Sequence, residues 1–394
     1  MPHSATSGLS ILIALAFIVF TSPYFSKILR IPIAPVEIIL GAAAGYFGLI
    51  GHNDIFHIVS EVGFFYLMFL AGTEVDLKIF FTTDKKILKS GLIYIALLYL
   101  LSSIITFSFD LTPLFILIIP LMSVGMIFTL FKEYGREEKW LNLGMLVGSI
   151  GEVVSIVLLT FVGAYLKFGA GSELVLSIIY LGGFLLLSAF GFKMLNVLFW
   201  WYPQLKVMLM PHYDNAEKDI RLSMALFFGI IALMLYLDLE IAFGAFVAGT
   251  FIATFFDHKK DLPHKLASFG FGFLVPTFFI YIGSTFKIDA LFMDGIIKNA
   301  MLIVSVMIGF RMIASLVFLN LLGFKKTMLY ALSHSMPLTL LIAVATIAHK
   351  SGDISEEFYF SCILASLTQA IIVMISIKIL MNSQKKNFRA ISKE

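Results

Sequence analysis

The chain has 394 residues, of which 60% are hydrophobic and only 13% charged, a balance that excludes an ordinary soluble domain. Its single cysteine, Cys362, lies in an apolar run and excludes both a disulfide framework and a cysteine-based metal cluster. The formal charge of +3 falls in short loops between apolar stretches, so it reads as a topology signal and not as a nucleic-acid surface.

Thirteen membrane spans are predicted, at approximately 8–26, 33–51, 58–76, 88–107, 112–131, 142–162, 172–198, 220–236, 239–256, 266–286, 296–321, 327–348 and 356–382. The first follows an uncharged N-terminus without a small-x-small cleavage site and is expected to be retained. Phe199-Trp200-Trp201-Tyr202 has the composition of an interfacial aromatic anchor. The tight turn Tyr236–Glu240 also permits one broken hairpin in place of two spans.

Lysine and arginine alternate between loops. Odd-numbered loops carry Lys27 and Arg30, then Lys85, Lys86 and Lys89, and later Lys259, Lys260 and Lys265, while even-numbered loops offer only Lys167, Lys287, Lys298 and Lys350. The positive-inside rule places the N-terminus outside and the basic C-terminal tail in the cytoplasm, which requires an odd number of spans.

Two short stretches repeat. Glu37-Ile38-Ile39-Leu40-Gly41-Ala42 and Glu240-Ile241-Ala242-Phe243-Gly244-Ala245 both read E-I-x-x-G-A at the starts of the second and ninth spans. Both glutamates sit where a helix dipole favours negative charge. An odd offset between the copies implies opposite membrane senses, as in inverted-topology transporters. Pro120 and Pro337 fall in the fifth and twelfth spans, and Glu152 and Gln369 follow them by the same 32 residues. Proline removes a backbone donor, so both helices are expected to be interrupted, and exposed backbone must then face the interior instead of lipid. The expected organisation is a first repeat at 1–162, a linking helix and loop at 163–219, a second repeat at 220–382 and a basic tail at 383–394.

Glu152 is the one charge in the apolar stretch 142–162. An ionisable group at that depth is expensive in hydrocarbon and marks an ion or proton path. Burial disfavours its charged form while a nearby cation favours it, so proton and metal ion would compete for one carboxylate. Ser149 and Ser155 lie one turn away on either side, offering neutral oxygen ligands. A structural carboxylate, paired with Arg311, is the alternative reading. His334, beside the second proline, is either a second titrating group or a packing histidine.

Phe69-Leu70-Ala71-Gly72-Thr73-Glu74-Val75-Asp76, Gly244-Ala245-Phe246-Val247-Ala248-Gly249 and the stretch Gly270 to Gly283 resemble segments of the monovalent cation:proton antiporter-2 family, which includes Kef-type and NapA-type proteins. The resemblance implies an all-α, thirteen-helix homodimer with a dimerisation domain and a mobile core in which two broken helices cross at Pro120 and Pro337. It places Gly151-Glu152 at the family's Asn-Asp or Gln-Asp pair and Arg311 near its basic residue. Met122-Ser123 stands at the first crossing, where the family's polar residues line the ion path, which implies Ser123 as a further ligand, and Ser333 to Thr339 stands at the second. Glu74 and Asp76 end the third span.

The expected function is secondary antiport of Na+ or K+ against H+, electroneutral because one carboxylate exchanges one monovalent cation for one proton. A transporter of this kind is not an enzyme and needs no cofactor. No Walker-type phosphate loop is present to suggest an ATP-driven pump. The setting is a bacterial inner membrane, with lipid and a second copy of the chain as partners and a cytoplasmic regulator left open. A passive cation channel and a transport-inactive sensor or scaffold are the alternatives.

Overall fold

The structure is a computed structural model that describes residues 2–391 except 30, 52, 74–83, 125–126, 128–129, 131–133, 136–137, 170, 210–215, 240, 257–258, 260 and 287–294. Glu74, Asp76 and Glu240 therefore lie outside the described residues. Every described regular element is helical, the form that satisfies backbone donors and acceptors within one segment in lipid. In chain order the helices are α1 Pro2–Leu29, α2 Ile33–Tyr46, α3 Asp54–Thr73, α4 Lys85–Ser108 and α5 Leu114–Ile118. Then come α6 Lys139–Phe168, α7 Ser172–Trp201, α8 Pro203–Leu209, α9 Lys218–Tyr236 and α10 Ile241–Phe255. The last are α11 Leu262–Thr285, α12 Ile296–Leu322, α13 Phe324–Ser333, α14 Leu338–Lys350 and α15 Glu356–Ile391.

Among the described residues, nine helices are long and apolar enough to cross a bilayer, and three shorter apolar ones accompany them. The second expected span ends early, because Gly48 turns into the left-handed region at φ +70° and closes α2 at Tyr46. The turn before α10 is closed by Leu239 N–H donating to the Met234 carbonyl at 2.9 Å, with Asp238 at φ +54°. The two are separate helices, not one broken hairpin. The span expected at 112–131 contains only the five-residue α5 before the chain leaves helical geometry.

The chain divides into two compact units. Unit 1 comprises Met1–Phe25, Val36–Phe81 and Thr160–Lys287; unit 2 comprises Ser26–Pro35, Thr82–Leu159 and Ile288–Glu394. In unit 1, α3 packs along α10 and α11. Glycine makes that approach possible. A Cβ at Gly72 would collide with the Phe246 carbonyl, and one at Gly249 with the Phe69 carbonyl, so the two backbones touch through each other's glycines. Gly41 and Gly45 of α2 meet the Ile280 and Ser284 carbonyls of α11 in the same way. Small residues are what membrane helices use to come this close. Asp219, buried at the start of α9, is neutralised by Lys265 at 3.3 Å and Lys259 at 3.6 Å, so two of the basic loop residues serve an internal charge.

In unit 2, α15 packs against α12, α13 and α14, and α4 packs against α5 and α12. Two interruptions lie inside this unit. After α5 the chain runs non-helically through Leu121–Ser123, and α13 ends at Ser333 before α14 resumes at Leu338. These are the positions of Pro120 and Pro337.

Gly249→Leu should lower the thermal midpoint of the detergent-solubilised protein, since overpacking against rigid backbone costs about 1–3 kcal/mol or more. Gly272→Leu, where a Cβ meets open space, should leave it unchanged. Equal effects of the two substitutions would refute the packing role.

Candidate ion-binding site

The helix α6 presents Gly144, Gly148 and Gly151 at spacings of four and three, which is one helical face. A Cβ at Gly151 would run into the Met122 side chain, and one at Gly148 would meet Val124, Ile127 and His334. The glycine face therefore admits both interruptions to the same stretch of α6. That is the local reason Glu152, one residue beyond Gly151, reaches the first of them.

Glu152 is 1% exposed. Its Oε1 accepts a hydrogen bond from the Ser123 hydroxyl at 3.2 Å, and its Oε2 accepts one from the Val124 N–H at 3.1 Å. One turn on, the Ser155 hydroxyl oxygen accepts the Met122 N–H at 3.3 Å. The Val124 and Met122 N–H groups are backbone donors that an unbroken helix would have used internally; here α6 side chains take them, as burial demands. A carbonyl of this break is also met from another helix. Arg311, fully buried on α12, donates from Nη2 to the Leu121 oxygen and from Nη1 to the Met307 oxygen, the latter at 2.9 Å.

Among the described residues, Arg311 forms no ion pair with Glu152. The pairing held open from sequence is not made; Nη2 of the guanidinium goes to the break and Nη1 to its own helix. Ser149 also differs from expectation. Its hydroxyl donates to the Met145 carbonyl of its own helix at 2.8 Å and is not brought to the carboxylate. Ser123 and Ser155 are both at the break, one on the carboxylate and one on the backbone.

His334 sits at the second interruption. Its Nδ1 lies 3.1 Å from the Tyr330 carbonyl and its Nε2 lies 3.0 Å from the Gly144 carbonyl, so the ring links α13 to α6. Tyr94 and Tyr330 pack their rings against it, with centroids 5.6 and 4.4 Å away. The backbone ligands at 121, 122 and 124 carried no side-chain signal in the sequence. The glycine periodicity of α6 did, and it points to them. Glu37 was read as a helix-start residue; it is instead 3% exposed inside unit 1, with the Ser22 hydroxyl donating to it at 3.3 Å. Glu37 and Glu152 are thus both deep carboxylates, one in each unit.

A sequence profile described as "Sodium/hydrogen exchanger, transmembrane" matches residues 13–383. YjbQ of Bacillus subtilis, described as an Na+/H+ antiporter, is 26% identical over 96% of this chain, which spans 63% of that protein's length. Na+/H+ antiporter 3 of Methanocaldococcus jannaschii is 25% identical over 92% of this chain and 93% of its own length. The ammonium/H+ antiporter subunit AmhT of Alkalihalophilus pseudofirmus is 27% identical over 72% of this chain and 71% of its own. Among solved structures, the sodium–proton antiporter MjNhaP1 from Methanocaldococcus jannaschii matches with a TM-score of 0.64 over 95% of this chain and 97% of that chain. At 18% identity the likeness is one of fold.

The arrangement at Arg311 is open to a double-mutant cycle. Glu152→Gln should shift the melting midpoint in the same direction with Arg311 present or replaced by Met, since the two groups do not bond each other; any difference in size reports the break they share, at Leu121 and Val124. An ion pair would make the glutamine stabilising only in the Arg311→Met background.

Proposed function

The chain belongs to the sodium/hydrogen exchanger family, and we propose that it exchanges a monovalent cation for H+ by alternating access, with Glu152 as the shared binding group. The single observation that carries this reading is the buried carboxylate with both oxygens turned to the interrupted backbone at Ser123 and Val124. Such a carboxylate takes either a proton or a dehydrated cation, and not both, which is the competition an exchanger requires. A cation arriving there must compete with the Ser123 hydroxyl and the Val124 N–H for the carboxylate oxygens. Loading the site therefore loosens the α6 hold on the first break, and protonation weakens the same contacts by removing the charge they solvate. Binding is in this way coupled to the geometry of an interrupted helix, the device transporters use at the membrane midplane.

One carboxylate carrying one cation or one proton makes the exchange electroneutral. Na+ and K+ are the favoured cargoes, and ammonium joins them because one relative is described as an ammonium/H+ antiporter. The wider reading is a homodimer in a bacterial inner membrane with thirteen spans, two inverted repeats whose broken helices cross near Pro120 and Pro337, an outside N-terminus and a cytoplasmic basic tail. It rests on loop charge, on the repeated intervals and on the antiporter-2 resemblance. Ser155 and Arg311 hold the break, and His334 ties the second break to α6.

Purified protein in sealed vesicles, given a cation gradient with the membrane potential clamped, should move protons only when Na+, K+ or ammonium is present. Glu152→Gln should reduce that coupled flux to the level of empty vesicles while leaving a folded protein. Current without obligatory proton movement would mean a channel, and silence in every cation would mean a sensor or scaffold. Protons and cations competing for one group also fix a pH dependence. On the acid limb the apparent cation KM should rise about tenfold per pH unit, the slope of a single competing proton. A slope of two would refute one-for-one exchange.

A further inference from the structure

Seven buried side-chain polar atoms have no hydrogen-bond partner among the described residues: the hydroxyls of Tyr94, Tyr99 and Tyr330, Trp140 Nε1, Arg311 Nε, and both amide atoms of Gln369. All seven lie in unit 2, the unit that holds Glu152. Native proteins leave few buried polar atoms unsatisfied, and each one needs a reason. Gln369 is the extreme case. It is 1% exposed on α15, with a donor and an acceptor both unmet.

The sequence gives Gln369 a counterpart. Ser366-Leu367-Thr368-Gln369 follows Pro337 at the interval at which Ser149-Ile150-Gly151-Glu152 follows Pro120. In both, the serine hydroxyl turns back on its own helix, to Ile363 in one and Met145 in the other. What differs is the opposing break. Glu152 finds a hydroxyl at Ser123 and an available N–H at Val124, three and four residues past the proline. The corresponding residues are Leu340 and Leu341; the first has no polar side chain, and the Leu341 N–H is already bonded to the Pro337 carbonyl at 2.8 Å. The second half thus repeats the polar side chain in uncharged form and removes its protein partners.

We propose that Gln369 is a second cargo-binding position, an amide that takes a partly hydrated monovalent cation on its way to or from Glu152. The amide oxygen is a hard, neutral ligand for the ion, and the amide NH2 donates to its water. Because an amide does not titrate, this position adds no proton to the exchange. It is sealed in the conformation seen here, so its occupant enters when the unit opens. The inference rests on the antiport reading above.

The test is cation-driven proton flux in vesicles with Gln369→Leu, which keeps the volume and removes both polar atoms. The apparent cation KM should rise at least about fivefold, the contribution of a single polar contact, with the maximal rate within about twofold of the parent. An unchanged KM would overturn the proposal. If the leucine variant does not fold, Gln369→Glu decides: a carboxylate there should make the exchange respond to membrane potential, and voltage-independent flux would overturn the proposal. Parent protein that shows no coupled flux sinks the antiport reading itself. Parent flux with an indifferent Gln369 sinks only this one.

Discussion

The hydrogen bonds that Glu152 accepts from the Ser123 hydroxyl and the Val124 N–H, just past Pro120, tie the chemistry of unit 2 to its fold. Proline cannot donate, and the chain beyond it leaves helical geometry, so the N–H groups of Met122 and Val124 need partners that hydrocarbon does not offer. Ser155 and Glu152 supply them, while Arg311 takes the Leu121 carbonyl. The carboxylate that would bind cargo is therefore also part of the structure that the cargo must disturb. This dual use explains why a deep acidic residue can be tolerated: its oxygens are spent on the break, and the break is spent on its oxygens.

Unit 1 obeys a different constraint. Its helices approach through glycine until backbone meets backbone, as at Gly72 with Gly249. The stretches that carry the antiporter-2 resemblance, around Gly72, Gly244 to Gly249 and Gly270 to Gly283, fall largely at these contacts. What makes them recognisable is close packing of small residues and not ion chemistry. A segment of π-helix at Gly270–Leu274, just ahead of Pro276, lets α11 absorb a proline without breaking.

Proline alone would have misled. Pro23 lies within the continuous helix α1, and Pro276 within α11, yet neither opens a gap like those at Pro120 and Pro337. The interruptions that matter are those whose stranded backbone groups meet buried polar side chains from another helix. Glu152 and Ser155 were legible as candidates because a charge and a hydroxyl share one turn of an apolar helix. Ser149 looked equivalent by spacing, but its hydroxyl is satisfied within its own turn. Glu37 reads from sequence as a helix-start charge, although it is buried and bonded to Ser22 of α1.

By itself, the sequence determined the membrane class, the run of apolar helices, the positions of the two interruptions and the one charge at the centre of 142–162. The membrane class, the helices and the charge follow from local composition; proline's missing donor permits an interruption without imposing one, and the repeated 32-residue interval is what singles out Pro120 and Pro337 from Pro23 and Pro276. Only the tertiary structure decided which atoms pair across the first break. It sent Arg311 to carbonyl oxygens instead of to Glu152, set His334 between Tyr330 and Gly144, and left the Gln369 amide without a partner. Hydrogen bonding is directional and short-ranged, so its outcome depends on how closely the segments approach, and at the two breaks the glycine face of α6 sets that distance.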